Sequence, residues 1–393
     1  MERIYIGVGD LQLTREDKDA VNKVLDSNRL SYGPVSKEFE REFAKFHDSK
    51  FAIFTNSGTS SLHIALAALK EKYNWESGDE VIVPAVTFIA TSNVVLHNNM
   101  MPVFVDVEEN TFNIDPQKIE EAITSKTRAI IPVHLLGLPA DMDPILKIAK
   151  KYNLHVIEDS AETMFAKYKG KTVGSFGDIG CFSTYIAHYI VTGVGGLNTT
   201  SDPQIATMLR SLMNHGRDSI YISIDDDNID DEEKFKEVIS KRFKFVTLGH
   251  SFRSTEIEAA LGLSQLKRKD QIITRRKYVA ARYLKGLEDL SEHLQFQQTP
   301  LDRENVYMLF GIVLKDGDKT ELINYLEENN IETRDLLPLL NQPVYKRIFG
   351  DKENDYPVAK KLNRSGFYIG CHQYLSDEDI DYVINKFHQF FKR

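Results

Sequence analysis

Two rhythms of apolar and polar positions run through the first half of the chain. Short apolar runs, bounded by turn-forming residues, alternate with longer stretches whose apolar positions recur every third or fourth residue. The runs predict strands at 51–54, 80–83, 103–106, 129–133 and 155–157. The longer spacing predicts helices at 60–69, 90–97, 116–122 and 142–152, the third opening on Pro116. Strands that are apolar on both faces and alternate with helices predict an α/β fold, a mostly parallel sheet covered by helices.

The rhythm breaks after about Asp218. Residues 223–233 read SIDDDNIDDEE, without the alternate carboxylates and central glycine of a calcium loop, and are expected to form a solvated surface loop. Helical spacing returns at 254–267 and continues through Arg282. From about Val306 the tail reads as a strand, a helix at 320–329, an irregular segment and a last helix at 377–391. The expectation is a large domain over residues 1–250, with an N-terminal arm of about 1–30, and a smaller α+β domain over 251–393. A length of 393 residues suits two cores better than one. No low-complexity linker intervenes, so the two are expected to pack tightly.

Composition removes several function classes. Apolar residues at 42% and charged residues at 27% are ordinary for a globular chain with a large core. A net charge of −9 disfavours a general nucleic-acid binder, whose affinity comes from clustered Lys and Arg. No apolar stretch approaches the length of a membrane span, and the N-terminus lacks the apolar core of a signal peptide, so a cytoplasmic enzyme is expected. Two cysteines, Cys181 and Cys371, form neither a disulfide framework nor the four-thiolate set of an iron–sulfur cluster. No metal site is expected.

Three segments carry chemistry. The first, Thr55-Asn56-Ser57-Gly58-Thr59-Ser60, joins a strand to a helix. Free N–H groups at a helix start, among small residues, suit a phosphate, although such a segment is more often a plain N-cap. The second, Glu158-Asp159-Ser160-Ala161-Glu162, places carboxylates at the carboxyl end of a strand, where ligands gather in open α/β sheets. The third runs from Cys181 through Ser183 to His188 and Tyr189, followed by Gly193-Val194-Gly195-Gly196, whose glycines permit tight turns. Each alone is weak.

Together, in this order and approximate spacing, they resemble fold type I pyridoxal-phosphate (PLP) enzymes, and closely the DegT/DnrJ-type sugar-nucleotide aminotransferases and dehydratases. The likeness covers nearly the whole chain. It includes Tyr32-Gly33-Pro34, Phe39-Glu40, Pro84-Ala85-Val86-Thr87-Phe88, Asn214-His215-Gly216 and Glu256-Ile257-Glu258-Ala259-Ala260-Leu261-Gly262 with Gln265-Leu266. It implies an aspartate aminotransferase-like large domain, a smaller C-terminal domain and a homodimer with shared active sites. It also implies that Gly58 and Thr59, beside Ser57, hold the cofactor phosphate with Ser183. Phe88 would stack on the pyridine ring, Asp159 would pair with the ring nitrogen, and Glu162 would lie on the 3-hydroxyl side. Ser251 stands where relatives carry an asparagine that reaches the phosphate from the neighbouring subunit.

The main departure is His188. The family's aminotransferases carry there the lysine that bonds PLP covalently, which an imidazole cannot do. The resemblance extends to the family's lysine-to-histidine branch, 3-dehydratases of a GDP-linked 4-keto-6-deoxymannose, around His188-Tyr189-Ile190, Phe243-Lys244-Phe245-Val246 and Gly370-Cys371-His372-Gln373. It implies non-covalently held PLP and pyridoxamine phosphate (PMP), L-glutamate as amino donor, and His188 as the acid–base group. The reaction implied is loss of the C3 hydroxyl from a nucleotide-linked 4-keto-6-deoxy sugar with release of ammonia, within surface-polysaccharide biosynthesis. His215, His250 and His372 are candidate substrate contacts; His63 and His155 read as structural. Two alternatives stay open: a 4-keto-sugar aminotransferase, and a catalytically inactive homologue that binds cofactor or sugar nucleotide.

Overall fold

The structure, a computed structural model, describes residues 5–218, 232–241 and 243–392. Seven strands make the central sheet: β1 (Phe51–Thr55), β2 (Glu80–Pro84), β3 (Met101–Val105), β4 (Thr127–Ile130), β5 (His155–Asp159), β8 (Ile179–Ser183) and β9 (Gly196–Thr200). A small hairpin, β6 (Lys167–Tyr168) and β7 (Lys171–Thr172), lies between β5 and β8. The spatial order is β1-β9-β8-β5-β4-β2-β3. All pairs from β8 to β3 are parallel, and β9 alone runs antiparallel to both neighbours. The predicted α/β class is correct. Burial of both sheet faces explains the unbroken apolar runs: Val81, Ile82, Val83, Ile157 and Phe182 are all buried.

Strand ends differ from expectation for local reasons. β3 stops before Asp106 because that carboxylate accepts the N–H groups of Val358 (3.1 Å) and Ala359 (2.8 Å), capping the helix Pro357–Ser365. β4 ends at Ile130, as Pro132 has no N–H to continue the ladder. The continuous helical spacing over 254–282 is two helices, Glu256–Leu266 and Lys269–Gly286. At the break between them Arg268 turns to Asp17 at 2.8 Å. The acidic stretch is corrected in part: Glu232 and Glu233 open the helix Glu232–Lys241, while 223–231 lie outside the described residues.

Beyond Leu290 a second sheet forms from β10 (Leu294–Phe296), β11 (Leu309–Leu314), β12 (Thr333–Asp335) and β13 (Gly366–Gly370), in the order β10-β11-β13-β12 and wholly antiparallel. Its core gathers Phe310, Ile312, Phe367 and Ile369 with Val279, Tyr283, Leu326 and Phe387 from covering helices. The N-terminal segment is tied to the rest by Glu256. Its buried carboxylate takes the N–H groups of Gly33 (2.8 Å), Val35 (2.9 Å) and Ser36 (2.8 Å) at the start of the helix Pro34–Phe46. An anion at a helix N-terminus satisfies donors that have no partner within the helix. No helix among the described residues is long and apolar enough to cross a membrane.

Candidate active site

The carboxyl ends of β1, β5 and β8 meet at a cavity of about 380 Å³. Its position follows from topology, since parallel strands deliver their last residues to one edge of the sheet.

One end of the cavity suits a phosphate. Ser57 caps the helix Gly58–Lys72: its Oγ accepts the Ser60 N–H at 3.0 Å and donates to Ser60 Oγ at 2.9 Å. The Ser57 hydroxyl therefore serves the helix, and the first-turn N–H groups of Gly58 and Thr59 are left for an anion. Gly58 lies against Ser183 so closely that a Cβ there would sit 2.7 Å from the Ser183 Cβ. Ser183, itself on the cavity wall, takes only a long bond from Tyr185 N–H (3.4 Å).

In the acidic pair that ends β5, alternation sends the two side chains to opposite faces. Glu158 is structural. Its carboxylate accepts N–H groups from Gly174 (2.7 Å), Phe176 (2.7 Å) and Gly177 (2.8 Å), and His134 Nε2 lies at 3.1 Å. Asp159 faces the cavity, 4% exposed. Its Oδ2 accepts the Thr91 hydroxyl at 2.7 Å and its Oδ1 the Ala161 N–H at 3.1 Å. Burial raises its pKa, and those two hydrogen bonds pull the other way. A buried carboxylate with no cation beside it in the cavity fits a ligand that brings its own N–H⁺.

Glu162 also lines the cavity and accepts the Leu136 N–H at 2.9 Å. Burial pushes its carboxyl up to about 7, and the neighbouring Asp159 pushes the same way. Phe88, the N-cap residue of the helix Ile89–His97, stands 59% exposed against the cavity, an aromatic face without a ring partner.

His188 closes the site. Its Nδ1 lies 3.0 Å from the Tyr185 carbonyl, which only accepts, so Nδ1 carries the proton and Nε2 keeps the lone pair. Burial pushes the imidazole down to about 4; the Tyr185 bond opposes this and the charge of Arg276 adds to it. The ring is thus a neutral base near pH 7. No lysine is among the described residues lining the cavity.

The remaining candidates lie elsewhere in this chain. Ser251 is exposed and accepts from Arg253 Nη2 at 3.1 Å; His215 is exposed beside the same guanidinium. His250 stacks on Phe252 and faces His63, with Nε2 atoms 3.2 Å apart. His372 is 4% exposed and outside the cavity lining. Sequence reasoning overlooked Thr91, in the first turn of the helix Ile89–His97, whose hydroxyl lies 2.7 Å from that of Thr87 just before the Phe88 cap. It also overlooked Tyr185, Met308, Leu337 and Tyr368, which complete the wall. The last three come from the second sheet's half of the chain, which carries no motif signal.

Sheet order, phosphate cradle and buried aspartate together define a PLP enzyme of fold type I. The sequence profile of the DegT/DnrJ/EryC1/StrS aminotransferase family matches residues 11–388, and the chain belongs to that family. It is 36% identical over 384 residues to a GDP-perosamine synthase of Caulobacter vibrioides, covering 96% of each chain. Among solved structures it is similar to the Escherichia coli GDP-4-keto-6-deoxy-D-mannose-3-dehydratase with bound hydrated PLP. That match has 29% identity and a TM-score of 0.87, covering 98% of this chain and 100% of the other. It is equally similar to a histidine-to-asparagine mutant of GDP-4-keto-6-deoxymannose-3-dehydratase with bound GDP-perosamine. There the identity is 29% and the TM-score 0.87, covering 97% of this chain and 99% of that one. The family's sugar-nucleotide dehydratases and aminotransferases are PLP-dependent, and the residues lining this cavity fit that cofactor.

Proposed function

We propose that this chain is a PLP/PMP-dependent dehydratase that removes the C3 hydroxyl of a nucleotide-linked 4-keto-6-deoxy sugar. The observation that carries the proposal is His188: a neutral imidazole with its free lone pair at Nε2, on a cavity wall with no lysine among its described residues. The similar dehydratase was solved as a histidine-to-asparagine mutant with bound GDP-perosamine, which supports looking to a histidine for the chemistry.

When bound, the cofactor supplies the electron sink for expelling the C3 hydroxyl. The chain's residues do the rest. Gly58, Thr59 and Ser183 hold its phosphate, Phe88 stacks on its ring, and Asp159 keeps the ring nitrogen protonated. His188 moves a proton at the cofactor's C4′, first with glutamate as donor and then with the sugar. Glutamate is oxidised to 2-oxoglutarate, C3 is reduced from C–OH to CH₂, and the amino group leaves as ammonia, so no further reductant is needed. The product is a 4-keto-3,6-dideoxy sugar. A homodimer in which Ser251 of one subunit approaches the phosphate of the other belongs to the same proposal.

The likeness to a GDP-perosamine synthase favours a second reading, an aminotransferase that releases an amino sugar. Purified protein with PLP, glutamate and a panel of 4-keto-6-deoxy sugar nucleotides separates the two. Free ammonia with a deoxygenated sugar supports the dehydratase. An amino sugar without ammonia supports the aminotransferase, and no turnover across the panel supports an inactive homologue.

A further inference from the structure

Arg276, in the helix Lys269–Gly286, is 1% exposed and the largest fully buried side chain among the described residues. No carboxylate pairs with it there. Its donors go almost entirely to main-chain carbonyls: Nη1 to Met308 (2.7 Å) and Cys371 (3.3 Å), and Nη2 to His188 (3.1 Å). Nε reaches the side-chain oxygen of Gln373 at 3.0 Å. One guanidinium thus ties three segments together: the His188 segment, the approach to β11 and the exit from β13. The Tyr189 ring lies 4.9 Å from its central carbon, and the Tyr189 hydroxyl donates to the Glu162 carbonyl at 3.0 Å.

Burying an unneutralised guanidinium is costly, and a neutral side chain could satisfy these carbonyls more cheaply. We propose that Arg276 is the positioning residue for His188, clamping its carbonyl to the second sheet while holding an uncompensated positive charge against the His188 main chain. The clamp gives the ring a rigid anchor on one side, and the Tyr185 carbonyl fixes its tautomer on the other. The charge adds to burial in disfavouring imidazolium, and the ring rests in its base form. Other titratable groups in the surroundings are Asp159, Glu162, Tyr185 and Tyr368 around the cavity, Tyr189 on the same segment, and Cys371 and His372 beyond the guanidinium. The two carboxyls would favour imidazolium; the guanidinium acts against them.

The inference rests on the proposed proton-carrying role of His188, so its test includes a measurement that needs no turnover. The His188 ring is titrated by NMR in ¹⁵N-histidine-labelled protein, its signals assigned by their loss in His188→Asn. In Arg276→Gln, which removes the charge, the midpoint is expected to rise while staying below the ordinary value because burial persists. In Arg276→Lys, which keeps charge but loses the planar fork, the midpoint should stay low. The glutamate half-reaction, followed by cofactor absorbance, should then slow about tenfold across the whole pH range. An unchanged midpoint in folded Arg276→Gln overturns the electrostatic part. Should that variant not fold, Arg276→Lys decides alone: wild-type rate and midpoint together overturn the clamp. Failure of the sugar assay leaves the titration readable, so the two ideas fail separately.

Discussion

The hydroxyl of Thr91 donates to Oδ2 of Asp159 at 2.7 Å, so this buried carboxylate of the cavity, the proposed partner of the ring nitrogen, is held by the first turn of a helix. Burial raises the pKa of Asp159 and this bond opposes the rise, which makes Thr91 a support for the charged form. Thr91→Val should weaken PMP binding by about 1 kcal/mol, roughly fivefold, with the fold intact. Asp159→Asn cannot keep a ring nitrogen protonated and should slow turnover by at least about a hundredfold. Cofactor titration by absorbance, paired with the ammonia assay, checks both. Equal affinity in Thr91→Val and wild type would remove the hydroxyl from the account.

Gly58 leaves no room for a side chain. Its hypothetical Cβ falls 2.7 Å from the Ser183 Cβ, on the short β8 strand where neither backbone can retreat. Gly58→Ala should therefore push apart the two walls of the phosphate cradle and cost about tenfold or more in PLP affinity. Pyridoxal without its phosphate should bind wild type and variant alike; a loss of equal size for both ligands would point to general damage.

His188→Asn keeps a polar side chain of similar size but has no base. Cofactor binding should persist, because phosphate and ring contacts lie on other residues, while turnover should fall by about a hundredfold or more. Retained turnover in this variant would remove His188 from the mechanism.

Acid should destabilise the cofactor-free protein. Burial holds His47 at about 3, and His188 and His372 at about 4, below the ordinary value of 6.5. Their unfolded forms bind protons more readily, so stability is present above about pH 6.5 and is lost as pH falls toward those folded values. Glu162, raised to about 7, acts in the opposite sense as it protonates. His63, also held at about 4, adds to the loss, while Asp159, raised like Glu162, subtracts from it; the histidines outweigh the carboxyls, and a net loss of a few kcal/mol, roughly, is expected between pH 7.5 and 5. Urea midpoints at the two pH values measure it. A midpoint that holds or rises in acid contradicts this balance.

Much of the site was readable in the chain because its residues fall in three short motifs at strand ends, with Phe88 in a fourth segment just after β2. Ser57, Gly58, Thr59, Phe88, Asp159, Glu162, Ser183 and His188 all line one cavity. Strand pattern alone does not separate Glu158 from Asp159, since neighbours on a strand differ only in which face they reach; the family resemblance singled out Asp159, which is the one lining the cavity. Sequence reading missed the break at Arg268, because helical spacing continues across it while the Asp17 partner lies far away in sequence.

The sequence by itself determined the alternation of strand and helix, hence the parallel sheet, and the chemical types available at its carboxyl edge. Local apolar periodicity and local turn chemistry are enough for that. Only the tertiary structure decided which lone pair of His188 is free, which carboxylate faces the cavity, and that Arg276 reaches the His188 carbonyl. Those depend on contacts between segments distant along the chain, where packing sets hydrogen-bond direction and burial sets charge state.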